Sequence, residues 1–93
     1  MYEIENSTKI ASIFKKLSKK NPKQLEAIME KLSKVVENPQ RFKPLSNVMK
    51  GRRRLHFGSF VLVYSIDEIN KVVKLIDYDH HDNIYRKKLH TLS

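Results

Sequence analysis

The chain has 93 residues, 40% hydrophobic and 31% charged, which suits one domain closed around a single apolar core. Lys and Arg number 19 against 10 acidic residues, and a net charge of +9 favours a polyanionic partner. No apolar run nears the ~20 residues of a membrane span, and no cysteine is present to form a disulfide, a thiolate nucleophile or a Cys-based zinc site.

In chain order, Tyr2 and Ile4 alternate with acidic neighbours, which predicts a short opening strand. This N-terminus lacks the basic-then-apolar plan of a signal peptide, so the expected compartment is the cytoplasm. Ser7 is the predicted cap of a helix whose apolar stripe is Ile10, Ile13, Phe14 and Leu17. Lys15, Lys16, Lys19 and Lys20 take its other face. Asn21-Pro22 ends that helix and opens another, because proline is preset for a first helical position. Asn21 and Gln24 have capping-box spacing. Leu25, Ile28, Met29, Leu32, Val35 and Val36 form the second stripe, up to Asn38-Pro39. The tight break predicts an antiparallel helix hairpin.

The period then changes. A Pro-punctuated loop holding Phe42, Leu45, Val48 and Met49 precedes an alternating strand over residues 52–57. Arg52, Arg54 and His56 fall on one face of it, Leu55 and Phe57 on the other. Gly58-Ser59 suits a type II′ hairpin turn. Phe60 to Ile66, apolar nearly throughout, predicts a central strand buried on both faces, with Phe60 and Tyr64 in the core. A turn over 67–71 and a strand over 72–78 complete a meander. Asp79 to Asn83 is polar and turn-like, and Ile84 to His90 is a basic element of open type. The expected fold is α+β, with the helix hairpin on one sheet face and the basic row on the other.

Alternate basic residues on a strand lie about 7 Å apart, close to the phosphate spacing along a nucleic-acid strand. Arginine offers planar donors to phosphate oxygens; the plain alternative is a solvated face that keeps the sheet soluble. His80, His81 and Asp82 invite a metal-site reading, which the sequence disfavours: neighbouring histidines in an extended segment point apart, and no ligand spacing completes a tetrahedral set. Proton transfer suits a histidine beside a cationic surface better, with a surface histidine the ordinary alternative. Tyr85 is either a core aromatic or a ring that stacks on a base or contacts phosphate.

The order of strand, helix hairpin and three-stranded meander resembles the RelE/ParE superfamily of bacterial and archaeal toxins over nearly the whole chain. The matching pieces are the helix ending at Asn38-Pro39, Lys43-Pro44-Leu45, Lys50-Gly51 before a basic strand, Gly58-Ser59-Phe60, Val61-Leu62-Val63-Tyr64 and the closing His80-His81-Asp82-Asn83-Ile84-Tyr85. The resemblance implies an mRNA interferase, an endoribonuclease that cuts mRNA in the ribosomal A site by 2′-hydroxyl attack, with no metal and no other cofactor. By position it implies catalytic roles for Arg52, Arg54, His81 and Tyr85. Lys50, Arg53, His56, His80, Arg86 and Lys87 are the accompanying candidates for RNA contact.

The family's usual arginine after the opening aromatic of the central strand is Val61 here, and neighbouring His56 is the available substitute. The implied partners are an acidic RelB-like antitoxin, in a heterotetramer or larger assembly, and the ribosome with its mRNA; no membrane is involved. Two other readings stay open. The ParE branch poisons DNA gyrase through protein contacts, and a nonenzymatic RNA- or ribosome-binding module needs no proton-transfer residue.

Overall fold

The computed structural model describes residues 1–41 and 51–92, with residues 87–92 described through their backbone alone. The predicted loop with Phe42, Leu45, Val48 and Met49, the Lys43-Pro44-Leu45 match and Lys50 lie outside the described residues. The elements are β1 (Glu3–Asn6), α1 (Thr8–Lys20), α2 (Pro22–Val35), a 3-10 turn (Pro39–Arg41), β2 (Arg52–Phe57), β3 (Phe60–Asp67), β4 (Val72–His80) and α3 (His81–Leu92).

Ser7 caps α1 as expected: its Oγ accepts the Ile10 amide at 3.1 Å. Asn21 serves two helices at once. Its backbone N–H donates to the Leu17 carbonyl, closing α1, while its side-chain oxygen accepts the Gln24 amide at 3.2 Å, opening α2. Gln24 does not return to Asn21 as a full capping box would. Its side chain donates instead to the Tyr78 hydroxyl at 2.7 Å, pinning the start of α2 to the sheet.

The sheet has the order β1-β4-β3-β2. β2, β3 and β4 form the predicted antiparallel meander, and β1 adds a parallel edge to β4, with Ile4 opposite Val73. At the β2–β3 turn only Gly58 has positive φ, +63°, as a type II′ turn requires; type I′ would need it at Ser59 too.

β4 carries a bulge. Tyr64 pairs with Leu75 but Val63 pairs with Asp77, so Ile76 has no opposite number. The freed backbone is met by Ser7, whose amide donates to the Leu75 carbonyl at 3.1 Å and whose hydroxyl donates to the Ile76 carbonyl at 3.2 Å. The residue that caps α1 thus fastens it to the irregular point of the sheet.

Two apolar clusters follow. Under the hairpin, Ile10, Phe14, Ile28, Leu32 and Val35 meet Leu55, Leu62, Tyr64, Val73 and Leu75. On the opposite face Val61 and Val63 pack with Ile84 of α3, flanked by Ile76 and Tyr85. β3 is therefore buried on both faces, as its apolar run predicts.

Several expectations change. β4 runs on through Asp79 and His80, and the polar stretch expected as a turn instead contains the first turn of α3, the C-terminal element of open type. Phe60 is not core: it is 40% exposed, because it stands beside the hairpin turn where the helices no longer cover the sheet. Met29 is also largely exposed.

Tyr64 is fully buried and donates its hydroxyl to the Pro39 carbonyl at 2.7 Å. Tyr64→Phe leaves that carbonyl without its donor, and a loss of about 1–3 kcal/mol is expected by denaturant unfolding. Burial pushes the Tyr64 phenol up to about 12 from 10.0, with the Arg53 charge opposing. A raised folded value means this contribution is complete below pH 10.0 and drains away as pH rises toward 12. Unfolding curves across that window should show the wild type losing a stability increment that Tyr64→Phe does not lose.

Candidate functional site

Alternation in β2 places Arg52, Arg54 and His56 on the face away from the helix hairpin. Their partners in β3 are Ser65, Val63 and Val61. Since Val61 and Val63 are covered there by α3, the basic row borders an apolar patch with a helix lying over it. Arg53 faces the other way. It pairs with Tyr64, whose ring lies in the hairpin-side core, so the structure does not bring Arg53 to the others.

Arg54 is the best-defined member. A terminal nitrogen of its guanidinium donates to the Tyr85 hydroxyl, and its guanidinium carbon lies 6.0 Å from the centre of the Tyr85 ring. Its Nε is buried and has no hydrogen-bond partner among the described residues. Leaving a buried donor unpaired costs about 1–3 kcal/mol, more for a charged group. Tyr85 combines both expected characters: its ring packs beside Ile84 while its hydroxyl reaches the cation.

α3 brings His81 to the same region. His81 and Tyr85 are four residues apart, hence on one helix face in successive turns. The His81 amide donates to the Ser59 carbonyl at 2.8 Å, which fixes the start of α3 against the β2–β3 turn. Asp79 braces that first turn as well, accepting from the His80 amide at 2.8 Å and from Asn83 Nδ2 at 3.1 Å.

His81 Nδ1 lies 2.9 Å from Asp82 Oδ1. An Nδ1 proton shared with that carboxylate would leave Nε2 as the ring nitrogen turned to other partners. Asp82, which the sequence reading weighed only as a metal ligand, is the partner of His81 that it did not foresee. The pointer was its place directly after His81 where the chain leaves a strand, but its contact depends on the unforeseen helix.

The two histidine rings do not point apart as expected. β4 ends at His80 and α3 begins at His81, and this change of backbone sets the ring centroids 4.5 Å apart. His80 also meets the Phe60 ring edge-on at 5.9 Å, and its Nδ1 accepts the Asp82 amide at 3.2 Å. His80, His81 and Asp82 together are a donor set able to hold a metal ion.

His56 is exposed on the rim of β2, opposite Val61, which pairs in turn with Asp79. Val61, the position at which the resemblance implies an arginine, is fully buried. Arg86 is exposed beside Tyr85, and the Lys87 side chain, like Lys50, lies outside the described residues.

A second surface lies on the hairpin side. Ile13 and Leu17 of α1 face Phe60 and Tyr78 across a groove of about 200 Å³ rimmed by Lys16 and Lys20. Phe60 and Tyr78 stack there with centroids 5.4 Å apart.

Comparison with known proteins agrees with this architecture. The family model of the ParE toxin of type II toxin–antitoxin systems matches residues 6–85. A candidate toxin RelE4 of Methanocaldococcus jannaschii is 46% identical over 89 residues, 95% of each chain. An uncharacterized protein of Methanosarcina mazei is 49% identical over 86 residues, 91% of this chain and 100% of its own. Among solved structures, the RelBE2 toxin–antitoxin complex of Mycobacterium tuberculosis matches with TM-score 0.71 and 27% identity over 85% of this chain and 96% of that one. The isolated RelE toxin of Escherichia coli shares the fold, with TM-score 0.73 and 18% identity over the whole of both chains.

The named matches fall in one class, the toxin halves of type II toxin–antitoxin pairs and their complexes. The chain belongs to the RelE/ParE superfamily of that class.

Tyr85→Phe isolates the hydroxyl from the ring. The variant should stay folded, since the packing beside Ile84 is kept, and should lose about 1 kcal/mol in denaturant unfolding as Arg54 gives up a partner. A loss several times larger would make that hydrogen bond a structural pillar of α3.

Proposed function

We propose that this toxin is a ribosome-dependent endoribonuclease that cuts mRNA in the A site without a catalytic metal. The observation that carries this reading is Arg54. It is a half-covered guanidinium whose Nε is unpaired among the described residues, set beside Tyr85 and one helical turn from His81. A phosphate oxygen received by the terminal nitrogens of that guanidinium makes a contact that strengthens as charge grows on phosphorus.

In the proposed reaction the 2′-oxygen bonds to the adjacent phosphorus while the bond from phosphorus to the 5′-oxygen breaks. One proton leaves the 2′-hydroxyl and one arrives at the departing 5′-oxygen. His81 Nε2 serves one of these transfers, Asp82 holds the His81 ring, and Arg54 with Arg52 stabilises the phosphorane. Tyr85 presents Arg54 and a stacking ring.

Purified toxin with programmed ribosomes, read by primer extension, tests the assignment. Arg52→Ala and Arg54→Ala should each slow cleavage about 10²–10³-fold while weakening ribosome binding much less. His81→Ala should cost about 10²–10⁴-fold. Asp82→Asn should lower turnover by a smaller factor and leave ribosome binding unaltered, the split expected of a group that acts through His81. Wild-type cutting by all of these folded variants overturns the site. Ribosome binding without new 5′ ends would favour the nonenzymatic module.

One observation favours a gyrase-directed reading: the matching family model is that of the ParE toxin. Inhibition of gyrase supercoiling by the wild type, unaffected by His81→Ala, would replace the nuclease reading with it.

The partner we assign to the groove is an acidic antitoxin presenting an amphipathic helix. Ile13, Leu17, Phe60 and Tyr78 offer the apolar floor, and Lys16 and Lys20 the complementary rim. The M. tuberculosis relative was itself solved as a toxin–antitoxin complex. Reversing both rim charges, Lys16→Glu with Lys20→Glu, should weaken the complex about tenfold and flatten its salt dependence, measured by calorimetry at two salt concentrations. Unchanged affinity and an unchanged salt slope would move the interface elsewhere.

A further inference from the structure

The junction between β4 and α3 brings together three metal-ligating side chains that the cleavage chemistry does not need as a set. His80, His81 and Asp82 each offer one ligand atom, and these atoms lie within 4.8 Å of one another. Asp82 Oδ1 is 2.9 Å from His81 Nδ1, and Asp82 Oδ2 is 3.7 Å from His80 Nδ1. Two neutral imidazoles with one carboxylate suit a borderline divalent ion, whereas magnesium and calcium prefer oxygen throughout. Zinc bonds of ~2.0–2.2 Å in tetrahedral geometry place ligand atoms about 3.4 Å apart, so closing the set takes side-chain rotation of about an ångström.

Besides the Asp82 amide bond to His80 Nδ1, the backbone of this junction is held by bonds that do not use the ligand side chains. The His81 amide is tied to the Ser59 carbonyl. The Asp79 carboxylate takes the His80 amide and the Asn83 side chain. The His80 ring is backed edge-on by Phe60. All three ligand residues remain partly open to solvent, which leaves a way in for the ion and room for a water in the fourth position.

We propose that His80, His81 and Asp82 form a zinc-binding site, completed by solvent. Bound zinc would replace the contact between His81 Nδ1 and Asp82 Oδ1, and the Asp82 amide that His80 Nδ1 now accepts. In the nuclease reading the same His81 ring moves a proton, so zinc would occupy it as an inhibitor and never as a cofactor. The binding itself does not depend on that reading, and neither does its test.

The free full-length protein is titrated with zinc sulfate by calorimetry, with histidine ring nitrogens followed by NMR. One-to-one saturable binding is expected, with the His80 and His81 ring resonances moving together. His80→Ala and Asp82→Asn should each weaken zinc at least as much as the ~10–100-fold loss typical of removing an outer-shell partner. His56→Ala removes a histidine on β2 and should leave zinc affinity as it was. Circular dichroism verifies the fold of each variant, and His80→Gln replaces His80→Ala if the smaller side chain unsettles the Phe60 contact. Absence of saturable binding, unaltered affinity in folded His80 and Asp82 variants, or movement of the His56 ring in place of the pair overturns the proposal.

Discussion

β3 is apolar on both faces, and that constraint organises the molecule. Val61 and Val63 point one way and Leu62 and Tyr64 the other, all buried. At about 25 cal/mol per Å² of apolar surface, leaving either face wet would forfeit several kcal/mol. One face is met by the hairpin of α1 and α2. The other is met by α3, which lies across it with Ile84 as its buried anchor. That requirement delivers Tyr85 to Arg54 of β2 and sets His81 one helical turn away. The candidate site is thus a by-product of completing the core.

Much of this was legible in the residues. The cap at Ser7, the break at Asn21-Pro22, the bounds of β2 and the glycine-first turn all rest on local chemistry, and each is found where it was expected. What escaped was nonlocal. The parallel pairing of β1 with β4 joins residues about seventy positions apart, and no local pattern records it. α3 contributes one fully buried apolar residue among those described, too few to mark a helical period against a polar, turn-like stretch. The geometry of His80 and His81 depended on that same boundary, as did the contact of Asp82. Phe60 reads as core because its strand does, and only the position of the helix ends shows that it is uncovered.

Basic charge is divided between two sides of the molecule. Lys15, Lys16, Lys19 and Lys20 are exposed on α1, on the hairpin side of the sheet, while Arg52, Arg54 and His56 lie on the side of α3. A partner confined to the groove beside Leu17 and Phe60 therefore leaves Arg54 untouched. To silence the arginine row by direct contact, such a partner must continue around the sheet. Near the β2–β3 turn Phe60 links the groove to the start of α3, touching Tyr78 and His80.

Asn21 closes one helix and opens the next with no residue between them. A corner of this kind has no slack. The angle between α1 and α2 is set by a single residue's backbone and side chain, and Gln24 then bolts the corner to Tyr78 on the floor of the groove. One wall and the floor are in this way joined by a bracket that cannot flex without breaking a helix terminus. Such a groove is a mould more than a glove: it meets its occupant already set, and the entropy of becoming ordered falls on whatever enters it.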